Sequence, residues 1–215
     1  AVEIDPALAE HITETFDETV RVFIGDVRNF STRELVSFCD GKHFKLIANI
    51  PYNITSEVLE KFLVEDPAPS VLVMLVQKEV AERVTAETES LSRLGVFVQY
   101  FGRAEIIRKV GRSAFYPSPK VESAVLRIRR NPPEILAKRE RIVPRETFFR
   151  IVRFGFSSPR RKLLGNLSRG LRIASEKLVP IFQSVNLSLD ARADRVSVDT
   201  WIALSRAITV SVTSH

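Results

Sequence analysis

The stretch Lys45-Leu46-Ile47-Ala48-Asn49-Ile50-Pro51-Tyr52-Asn53-Ile54-Thr55 decides the fold of this chain. Residues 44–50 are mostly apolar, rich in isoleucine and bounded by Gly41 and Pro51, which predicts a short buried strand. Pro51 ends the strand, because a proline fixes its own φ and biases the preceding residue toward an extended backbone. The turn that follows should therefore be stiff.

A helix is expected directly after this turn. Thr55 or Ser56 can cap it, and Glu57 lies in its first turn. The apolar face of the helix comprises Val58, Leu59, Phe62 and Leu63. Ligands of open α/β sheets bind at the carboxyl ends of the strands. Residues 49–52 lie at such an end and are therefore the first candidate for a functional site.

The sequence Asn-Ile-Pro-Tyr at residues 49–52 can activate an amine on an aromatic base. Such an amine is a poor nucleophile, because its lone pair is delocalised into the ring. The Asn49 side-chain oxygen and the Ile50 carbonyl can accept its hydrogen bonds and draw the nitrogen toward a tetrahedral geometry, while Tyr52 lies against the base. A sulfonium methyl donor is electrophilic enough to need no general base first. An ordinary strand-to-helix turn is the alternative, and these four residues alone favour it.

Length and composition predict one or two globular domains. The 215 residues are 45% hydrophobic, which is enough for a substantial core. The single cysteine, Cys39, permits no internal disulfide, and His11, His43 and His215 are too scattered for a metal site. A reducing cytoplasm fits this composition. The longest apolar run, residues 71–76, is too short to span a bilayer, so no membrane role is indicated.

Positive charge is concentrated in the second part of the chain. The formal net charge is +6, from 32 Lys and Arg against 26 Asp and Glu. Residues 1–130 carry 17 basic and 19 acidic side chains, whereas residues 131–215 carry 15 and 7. The second part is therefore the candidate for binding a polyanion such as RNA, and a merely solvated surface is the alternative.

Strand and helix signals are segregated along the chain. The other predicted strands are residues 1–5, 20–24, 71–76, 103–110 and 121–128, the last two as an antiparallel pair. Helices are expected at 77–84 and 92–100, and after Pro6 with Leu8, Ala9, Ile12 and Phe16 on one face. Beyond Asn131-Pro132-Pro133 the strand signals vanish, and helices are expected around 148–156, 163–167, 178–182 and 201–208. We therefore predict an α/β domain at residues 1–130 and a helical domain at 131–215.

Two carboxylates that follow the first two strands are candidate nucleotide ligands. Glu3 closes the first strand, and Asp26 follows Gly25 after the second. In a nucleotide-binding sheet, a carboxylate at a strand end can accept hydrogen bonds from a ribose diol, and a second one can accept from an adenine amine. The alternatives are a plain strand-end charge for Glu3 and an ordinary turn residue for Asp26.

Two further segments supply the remaining candidates. Phe115, in the proline-stiffened loop at residues 113–121, is a candidate second wall for a base that lies on Tyr52, and packing within the loop is the alternative. Arg160, Arg161 and Lys162 lie at a helix start, where cations oppose the helix dipole. Their position favours a phosphate partner over a stabilising role, and an unpaired surface cluster is the alternative.

Several segments together carry a family resemblance. They are Val2-Glu3-Ile4-Asp5, Gly25-Asp26-Val27, Asn49-Ile50-Pro51-Tyr52-Asn53, Gln77-Lys78-Glu79-Val80-Ala81-Glu82-Arg83, Ser113-Ala114-Phe115 with Pro117, Pro119, Lys120 and Val121, Arg160-Arg161-Lys162 with Asn166-Leu167, and Arg192-Ala193-Asp194-Arg195. In this order they resemble the ribosomal RNA adenine N6-dimethyltransferases, closest to the small-subunit enzymes, over nearly the whole chain. Each segment alone is a weak signal, and the ordered set is a strong one.

The resemblance implies a Rossmann-like α/β methyltransferase sheet, N-terminally truncated, with a small all-α C-terminal domain that binds RNA. The implied activity is S-adenosylmethionine-dependent N6,N6-dimethylation of two adjacent adenosines in small-subunit, 16S-type ribosomal RNA during ribosome biogenesis. The partner would be that RNA or the immature small subunit. The resemblance also implies a cytoplasmic monomer with no metal and no membrane contact.

Residue by residue, the resemblance assigns cofactor binding to Glu3, Ile4, Asp26, Val27 and Asn49. The catalytic pocket for the target base would comprise Asn49, Ile50, Pro51, Tyr52 and Phe115. RNA phosphates would be bound by Arg160, Arg161 and Lys162. The target adenine must leave its stack to enter such a pocket, at a cost of a few kcal/mol that is smaller where the RNA is unpaired.

Two departures from the family pattern bear on activity. The family has a first strand and a glycine-rich loop before the strand that ends in Glu3, whereas this chain begins at that later strand and contains no Gly-x-Gly pattern. The absent strand lies between the strands of Glu3 and Asn49 in the family. We therefore expect the chain as written to bind the cofactor poorly and to be inactive. Residues 87–93 also lack the expected glycine- and lysine-bearing pattern.

Two other classes of function stay open on the sequence. One is a non-catalytic, RNA-binding ribosome-assembly factor or a fragment of an enzyme. The other is a different adenine methyltransferase, either of the antibiotic-resistance type that acts on large-subunit ribosomal RNA or one that acts on DNA. The identity of the methylated nucleic acid and the number of methyl groups added distinguish these possibilities.

Overall fold

The computed structural model describes residues 1–16, 19–37 and 44–213, without the side chains of residues 212 and 213. The strands are β1 (Val2–Glu3), β2 (Phe23–Ile24), β3 (Lys45–Asn49), β4 (Val71–Gln77), β5 (Gly102–Val110) and β6 (Ser123–Arg130). The helices are α1 (Pro6–Phe16), α2 (Thr32–Val36), α3 (Thr55–Val64), α4 (Lys78–Thr85), α5 (Arg93–Phe101), α6 (Pro133–Ile142), α7 (Arg145–Gly155), α8 (Leu163–Leu171), α9 (Ser175–Ser184) and α10 (Val198–Thr213). The described strands therefore all precede α6.

The strands form two sheets. The larger sheet has the order β3-β4-β6-β5, with β3 parallel to β4 and β6 antiparallel to both of its neighbours. The smaller sheet consists of β1 and β2, which pair in parallel. Within the described ranges, β3 pairs with β4 on one side and with no strand on the other.

Helices α3, α4 and α5 cover one face of the larger sheet. Alternate residues of β4 and β6 point to this face and are fully buried, namely Leu72, Met74, Val76, Ala124, Leu126 and Ile128. The predicted apolar face of α3 packs into the same core with Val58, Leu59, Phe62 and Leu63. Full burial of one such large apolar side chain contributes about 1.5–3 kcal/mol, so this layer is the main stabilising contact of the α/β part.

The strand predicted at residues 44–50 is present as Lys45–Asn49, but the prediction that it is buried is wrong. Leu46 and Ala48 are half-buried against the core, whereas Ile47 points to the opposite side and is 81% exposed. The physical reason is that the core lies on the face to which Leu46 and Ala48 point, whereas Ile47 points to the other face of the sheet. A short apolar run does not show whether one face or both faces of its strand are covered.

The predicted cap of α3 is also wrong. Residues Tyr52–Ile54 form a 3-10 turn that leads directly into the helix, so Ile54 takes the N-cap position without a side-chain hydrogen bond. The Thr55 hydroxyl is buried without a partner in the described part of the molecule. The stiff turn predicted after Pro51 therefore displaces the capping position from both Thr55 and Ser56.

The first elements are shorter or more exposed than their patterns indicate. The second strand covers Phe23–Ile24 rather than residues 20–24. In α1, Ala9 is buried and Ile12 is half-buried, but Leu8 and Phe16 are about half exposed. The remaining predicted strands and helices of residues 1–130 occur at the expected places, including the antiparallel pair of β5 and β6.

The C-terminal helices pack on the α/β part through aromatic side chains. Tyr100 of α5 stacks on Phe148 of α7 at 4.8 Å between ring centroids, and Phe149 packs against Phe97 at 5.0 Å. One continuous core runs from the sheet to Trp201 in α10. The change from strands to helices falls where it was predicted, with α6 as an unpredicted extra helix, and the division into two domains at residues 130 and 131 stays a prediction.

Four residues named in the sequence analysis lie outside the part of the chain that the structure describes. They are Gly41, Cys39, His43 and His215. Among the helices that the structure describes, none has both the length and the apolar character needed to cross a membrane.

We predict that Gly155→Ala destabilises the protein by about 1–3 kcal/mol, the usual cost of overpacking a core. A Cβ at this position would overlap Cη2 of the buried Trp201 and would lie 2.8 Å from Cδ1 of Leu163. The matched control is Gly165→Ala in α8, where a Cβ has no neighbour within 4 Å and should stabilise the helix by about 0.5–1 kcal/mol. Urea unfolding of both variants measures the difference, and equal stability of the two contradicts the packing of α7 on α10.

Candidate active site

The segment after β3 presents an exposed amide next to a half-buried phenol. Asn49 is the last residue of β3, and its exposed side chain forms no hydrogen bond with the described residues. Pro51 has an extended backbone with φ −54° and ψ 136°, and its carbonyl accepts a 3.2 Å hydrogen bond from the Ile54 N–H. This short turn holds Asn49 and Tyr52 on either side of Pro51, at the carboxyl end of β3.

Tyr52 is fixed at its far end. Its hydroxyl is 2.5 Å from the Oγ of Ser123, which is the first residue of β6 and is fully buried. Ser123 pairs with Val110 of β5 and with Gln77 of β4. The hydrogen bond therefore joins the turn after β3 to the opposite side of β4.

The loop that carries Phe115 begins and ends at this same place. Residues 111–122 connect β5 to β6, and the pair of Val110 and Ser123 closes the loop at its base. Phe115 is half-buried, and its N–H donates to the Arg112 carbonyl at 3.3 Å. The structure thus brings the predicted second wall onto a loop whose base is bonded to Tyr52, and it shows no direct ring contact between Phe115 and Tyr52.

Glu3 and Ile4 lie at the carboxyl end of β1. The Glu3 Oε1 atom accepts a 2.9 Å hydrogen bond from the Asp5 N–H, and the Glu3 carbonyl accepts one of 2.8 Å from the Gly25 N–H. The second bond joins the ends of β1 and β2. Glu3 is half-buried and Ile4 is 65% exposed, so both face an accessible surface beside the Asp26 turn.

Asp26 is held by an arginine that also reaches α3. Both Asp26 carboxylate oxygens accept hydrogen bonds from Arg28, whose Nη2 lies 2.6 Å from Oδ2. The Nη1 atom of Arg28 lies 2.9 Å from Glu57 Oε2 in the first turn of α3. Hydrogen bonding to Arg28 lowers the pKa of Asp26 from 3.8 to about 2, so the carboxylate stays charged across the physiological range. The Arg28 guanidinium therefore bridges Asp26 and the helix that begins after Tyr52.

A second contact joins the same two regions. Glu65, which follows α3, accepts hydrogen bonds from the N–H and the hydroxyl of Thr32 at 2.8 and 2.6 Å, and also binds Lys61 at 2.7 Å. Burial by itself raises the pKa of Glu65, but the hydrogen bonds from Lys61 and Thr32 outweigh it and lower the pKa. Helices α2 and α3 are thereby linked. Because α2 follows β2 and α3 follows the Tyr52 turn, this contact connects the small sheet to the region of the candidate pocket.

The acceptor groups of these residues suit a nucleoside cofactor. The Glu3 carboxylate keeps its Oε2 atom free of the Asp5 bond and can accept from ribose hydroxyls. Each carboxylate oxygen of Asp26 already accepts two hydrogen bonds from Arg28, so an adenine amine has to share an oxygen with Arg28 or replace one of these bonds. The amide of Asn49 is unengaged by the described residues, and Val27 is half-buried beneath the Asp26 turn. The free acceptors of Glu3 and Asn49 therefore fit S-adenosylmethionine in hydrogen-bonding character, and Asp26 fits it when Arg28 gives up part of its hydrogen bonding.

The basic segment lies between α7 and α8, and backbone carbonyls beside it accept hydrogen bonds from a buried asparagine of α8. Asn166 is buried, and its Nδ2 atom donates to the carbonyls of Gly155 and Ser158 at 2.7 and 3.0 Å. Arg160 and Arg161 are exposed and have no ion pair within the described chain, whereas the Lys162 Nζ is bound to Asp190. The predicted cation cluster is therefore present at the start of α8, with two free charges and one paired charge.

The site contains no cluster that suggests a metal. No group of three or more His, Cys, Asp or Glu side chains that could hold a metal ion occurs in the part of the chain that the structure describes.

Fold and site together define a Rossmann-like methyltransferase, and comparison with known proteins gives the family. The family model of ribosomal RNA adenine dimethylase matches residues 1–209. A ribosomal RNA small subunit methyltransferase A of Dehalococcoides mccartyi strain 195 is 32% identical, over 94% of this chain and 68% of the relative. The protein of that name from Nostoc punctiforme is 36% identical, over 98% and 75%. This chain therefore belongs to the ribosomal RNA adenine dimethylase family, as its sequence motifs predict.

Two solved structures are similar in fold. The 23S rRNA methyltransferase ErmE covers 97% of this chain and 80% of its own, with a TM-score of 0.67 and 24% identity. A dimethyladenosine transferase from Plasmodium falciparum covers 94% and 78%, with a TM-score of 0.74 and 19% identity. At these identities the likeness concerns the fold alone, and it confirms the predicted methyltransferase fold class.

The sequence missed three residues that hold the site together. Ser123, Arg28 and Glu57 carry no motif of their own. Ser123 contributes through Tyr52, 71 residues away, and Arg28 contributes through the neighbouring Asp26 and through Glu57, 29 residues away. The spacing of Asp26 and Arg28, two residues apart after a strand, was the only local signal for any of them.

We predict that Arg28→Met raises the pKa of Asp26 from about 2 toward 3.8, because the variant loses the hydrogen bonds that stabilise the carboxylate. In the parent the folded-state pKa lies below the unfolded-state value. The stabilising contribution is therefore present above about pH 4 and is lost as the pH falls toward 2. Carboxyl-carbon NMR titration measures the pKa, and urea unfolding measures the pH dependence.

The control for this titration is Arg33→Met. Arg33 is exposed in α2 and has no ion pair among the described residues. Its removal should leave Asp26 titrating at about pH 2. An Asp26 pKa that stays at about 2 in Arg28→Met contradicts the role of the guanidinium.

Proposed function

We propose that this protein catalyses the S-adenosylmethionine-dependent N6,N6-dimethylation of two adjacent adenosines in small-subunit ribosomal RNA. The observation that carries the proposal is the exposed Asn49 amide at the end of β3, beside a Tyr52 ring anchored to Ser123. Membership of the ribosomal RNA adenine dimethylase family supports the reaction type. The small-subunit substrate is supported by the names of the bacterial relatives.

The residues of the pocket have distinct roles in this proposal. The Asn49 amide oxygen and the Ile50 carbonyl accept hydrogen bonds from the target N6 amine and orient its lone pair out of the ring plane. Tyr52 supports one face of the adenine, Pro51 keeps the turn rigid, and Phe115 covers the other face. Such acceptors act by electrostatic preorganisation, because they are in place before charge develops on the nitrogen.

The cofactor site in this proposal lies at the ends of β1 and β2. Glu3 holds the ribose hydroxyls, Asp26 accepts from the adenine amine, and Ile4 and Val27 contact the adenine ring. When bound, S-adenosylmethionine supplies an electrophilic methyl group. The Arg28 contact to Glu57 keeps Asp26 in a fixed position relative to the turn that carries Asn49 and Tyr52.

RNA binding is assigned to the helical part, residues 131–215, as a separate domain. This part carries 15 basic against 7 acidic side chains, and Arg160 and Arg161 are exposed without ion pairs in the described structure. Cations that contact phosphates supply most of the sequence-independent affinity for RNA. We also propose that the protein acts as a monomer in the cytoplasm on the immature small subunit.

A different RNA target is the principal competing assignment. The structural likeness to a 23S rRNA methyltransferase concerns the fold and does not favour that substrate. Incubation of the full-length protein with labelled cofactor and either immature small subunits or protein-free large-subunit RNA separates the two. Dimethyladenosine in the small-subunit RNA supports the proposal, and label only in the large-subunit RNA contradicts it.

We predict that Asn49→Ala lowers the rate of methyl transfer by about 100-fold or more in the full-length protein. The variant loses one preorganised hydrogen-bonding group, and loss of such a group typically costs 100- to 1,000-fold in rate. RNA affinity should change little, because the phosphate contacts lie elsewhere.

Lys45→Ala, at the opposite end of the exposed side of β3, is the control and should keep parent activity. Methyl incorporation and filter binding give the two measurements. Turnover by Asn49→Ala at the parent rate removes Asn49 from the mechanism.

We predict that Arg160→Ala and Arg161→Ala each reduce the slope of log affinity against log salt by about 0.7–0.9, the effect of one lost phosphate contact. Lys162→Ala should change the slope less, because its ammonium is already paired with Asp190. The control is Lys177→Ala, an exposed lysine of α9 without an ion pair among the described residues. A salt slope that is the same in all four variants rules out phosphate contact by this cluster.

A further inference from the structure

The hydrogen bond between Tyr52 and Ser123 crosses the end of a strand. Asn49 pairs with Leu75 of β4, and Ser123 pairs with Gln77 of the same strand, two residues further on. The strands on either side of β4 are roughly 10 Å apart, twice the spacing of neighbouring strands. The Tyr52 side chain spans this gap and ends on the Ser123 hydroxyl at 2.5 Å.

Ser123 is a fixed anchor. It is fully buried, and strand pairing holds it on both sides, to Val110 and to Gln77. The preceding residue is held as well, because the Glu122 carbonyl accepts from the Lys78 N–H at 3.0 Å and its carboxylate binds the Lys78 ammonium at 2.6 Å. Tyr52, in contrast, lies on a short 3-10 turn and is only half-buried. The rigid partner of the pair is therefore Ser123.

Among the residues that the structure describes, Tyr52 is the one hydrogen-bond partner of the Ser123 hydroxyl. The phenol oxygen lies on the long axis of the ring, so a bond at this atom fixes the direction of that axis. Loss of the bond removes this restraint on the χ1 rotamer of the ring. The same serine closes the base of the loop that carries Phe115. Ser123 therefore bears on both aromatic residues of the proposed pocket, on Tyr52 through its hydroxyl and on the Phe115 loop through its backbone pairing.

We propose that Ser123 is a positioning residue for methyl transfer, which acts by holding the Tyr52 ring in the orientation that accepts the target adenine opposite Phe115. Ser123 itself does not touch the base. This inference rests on the proposed function for its catalytic consequence, whereas the orientation of the ring is testable without substrate or cofactor.

The first test measures the ring directly. The chain has three tyrosines, Tyr52, Tyr100 and Tyr116, so their aromatic NMR signals can be assigned by single Tyr→Phe substitutions. In Ser123→Ala we expect the Tyr52 signals to shift and broaden, while those of Tyr100 and Tyr116 stay in place. Tyr52 signals identical to the parent overturn the proposal.

A matched control separates this effect from the loss of any buried hydroxyl. Ser205 in α10 is also fully buried, but its hydroxyl has no partner in the described structure. Ser205→Ala should leave the Tyr52 signals and the rate of methyl transfer at parent values. A Tyr52 shift of equal size in Ser205→Ala contradicts a specific anchor.

The second test is a double-mutant cycle on turnover in the full-length protein. Ser123→Ala and Tyr52→Phe should each lower kcat about tenfold, equivalent to about 1.4 kcal/mol, with an unchanged KM for S-adenosylmethionine. The double variant should be no slower than either single variant, because both remove the same bond. The proposal is overturned if the kcat losses of the single variants multiply in the double variant, or if the single variants have a raised KM and the parent kcat.

Tyr52→Phe also keeps the test decisive if Ser123→Ala misfolds, since it removes the same bond while Ser123 stays in place. Parent-like kcat in Tyr52→Phe counts against the anchor even if Ser123→Ala does not fold. Failure of the parent to methylate ribosomal RNA contradicts the proposed function, and the NMR comparison still decides whether Ser123 orients Tyr52.

Discussion

The pairing of β4 on both of its sides is the constraint on which the rest of the structure depends. β3 and β6 are hydrogen-bonded to β4 along its length, and Leu72, Met74 and Val76 are fully buried beneath the helices. This register sets where β3 ends relative to the start of β6. A shift by one residue would turn Asn49 toward the core face and would move Ser123 out of reach of Tyr52.

Polar contacts along α3 connect the small sheet to this framework. Arg28 joins Asp26 to Glu57 in the first turn of the helix, and Thr32 binds Glu65 just after its last turn. The exposed ion pairs are individually weak in water. Their importance is geometric, because they attach the β1–β2 unit to the helix that follows the Asn49 turn. Over the described ranges this unit shares no strand pairing with the larger sheet.

The helical part uses a buried amide for a similar purpose. Asn166 holds the carbonyls of Gly155 and Ser158, and thereby fixes the segment that exposes Arg160 and Arg161. Aromatic packing between α5 and α7 joins this part to the α/β core. The groups assigned to the base, the cofactor and the phosphates thus lie at strand ends and in the turns and loops that follow strands or helices, and polar contacts join these segments to neighbouring elements.

The sequence by itself determined the order of the strands and of the helices other than α2 and α6, the position of the Asn49–Tyr52 turn, the family and the candidate residues, because periodicity and short motifs are local properties of a chain. It did not determine that Ile47 is exposed, that Ile54 rather than Thr55 takes the N-cap, that Lys162 is paired, or that Ser123 holds Tyr52. These features depend on which distant segments become neighbours. Strand pairing and the packing of α3 decide that, since a hydroxyl or carboxylate gains a partner only when the folded backbone brings one within about 3 Å.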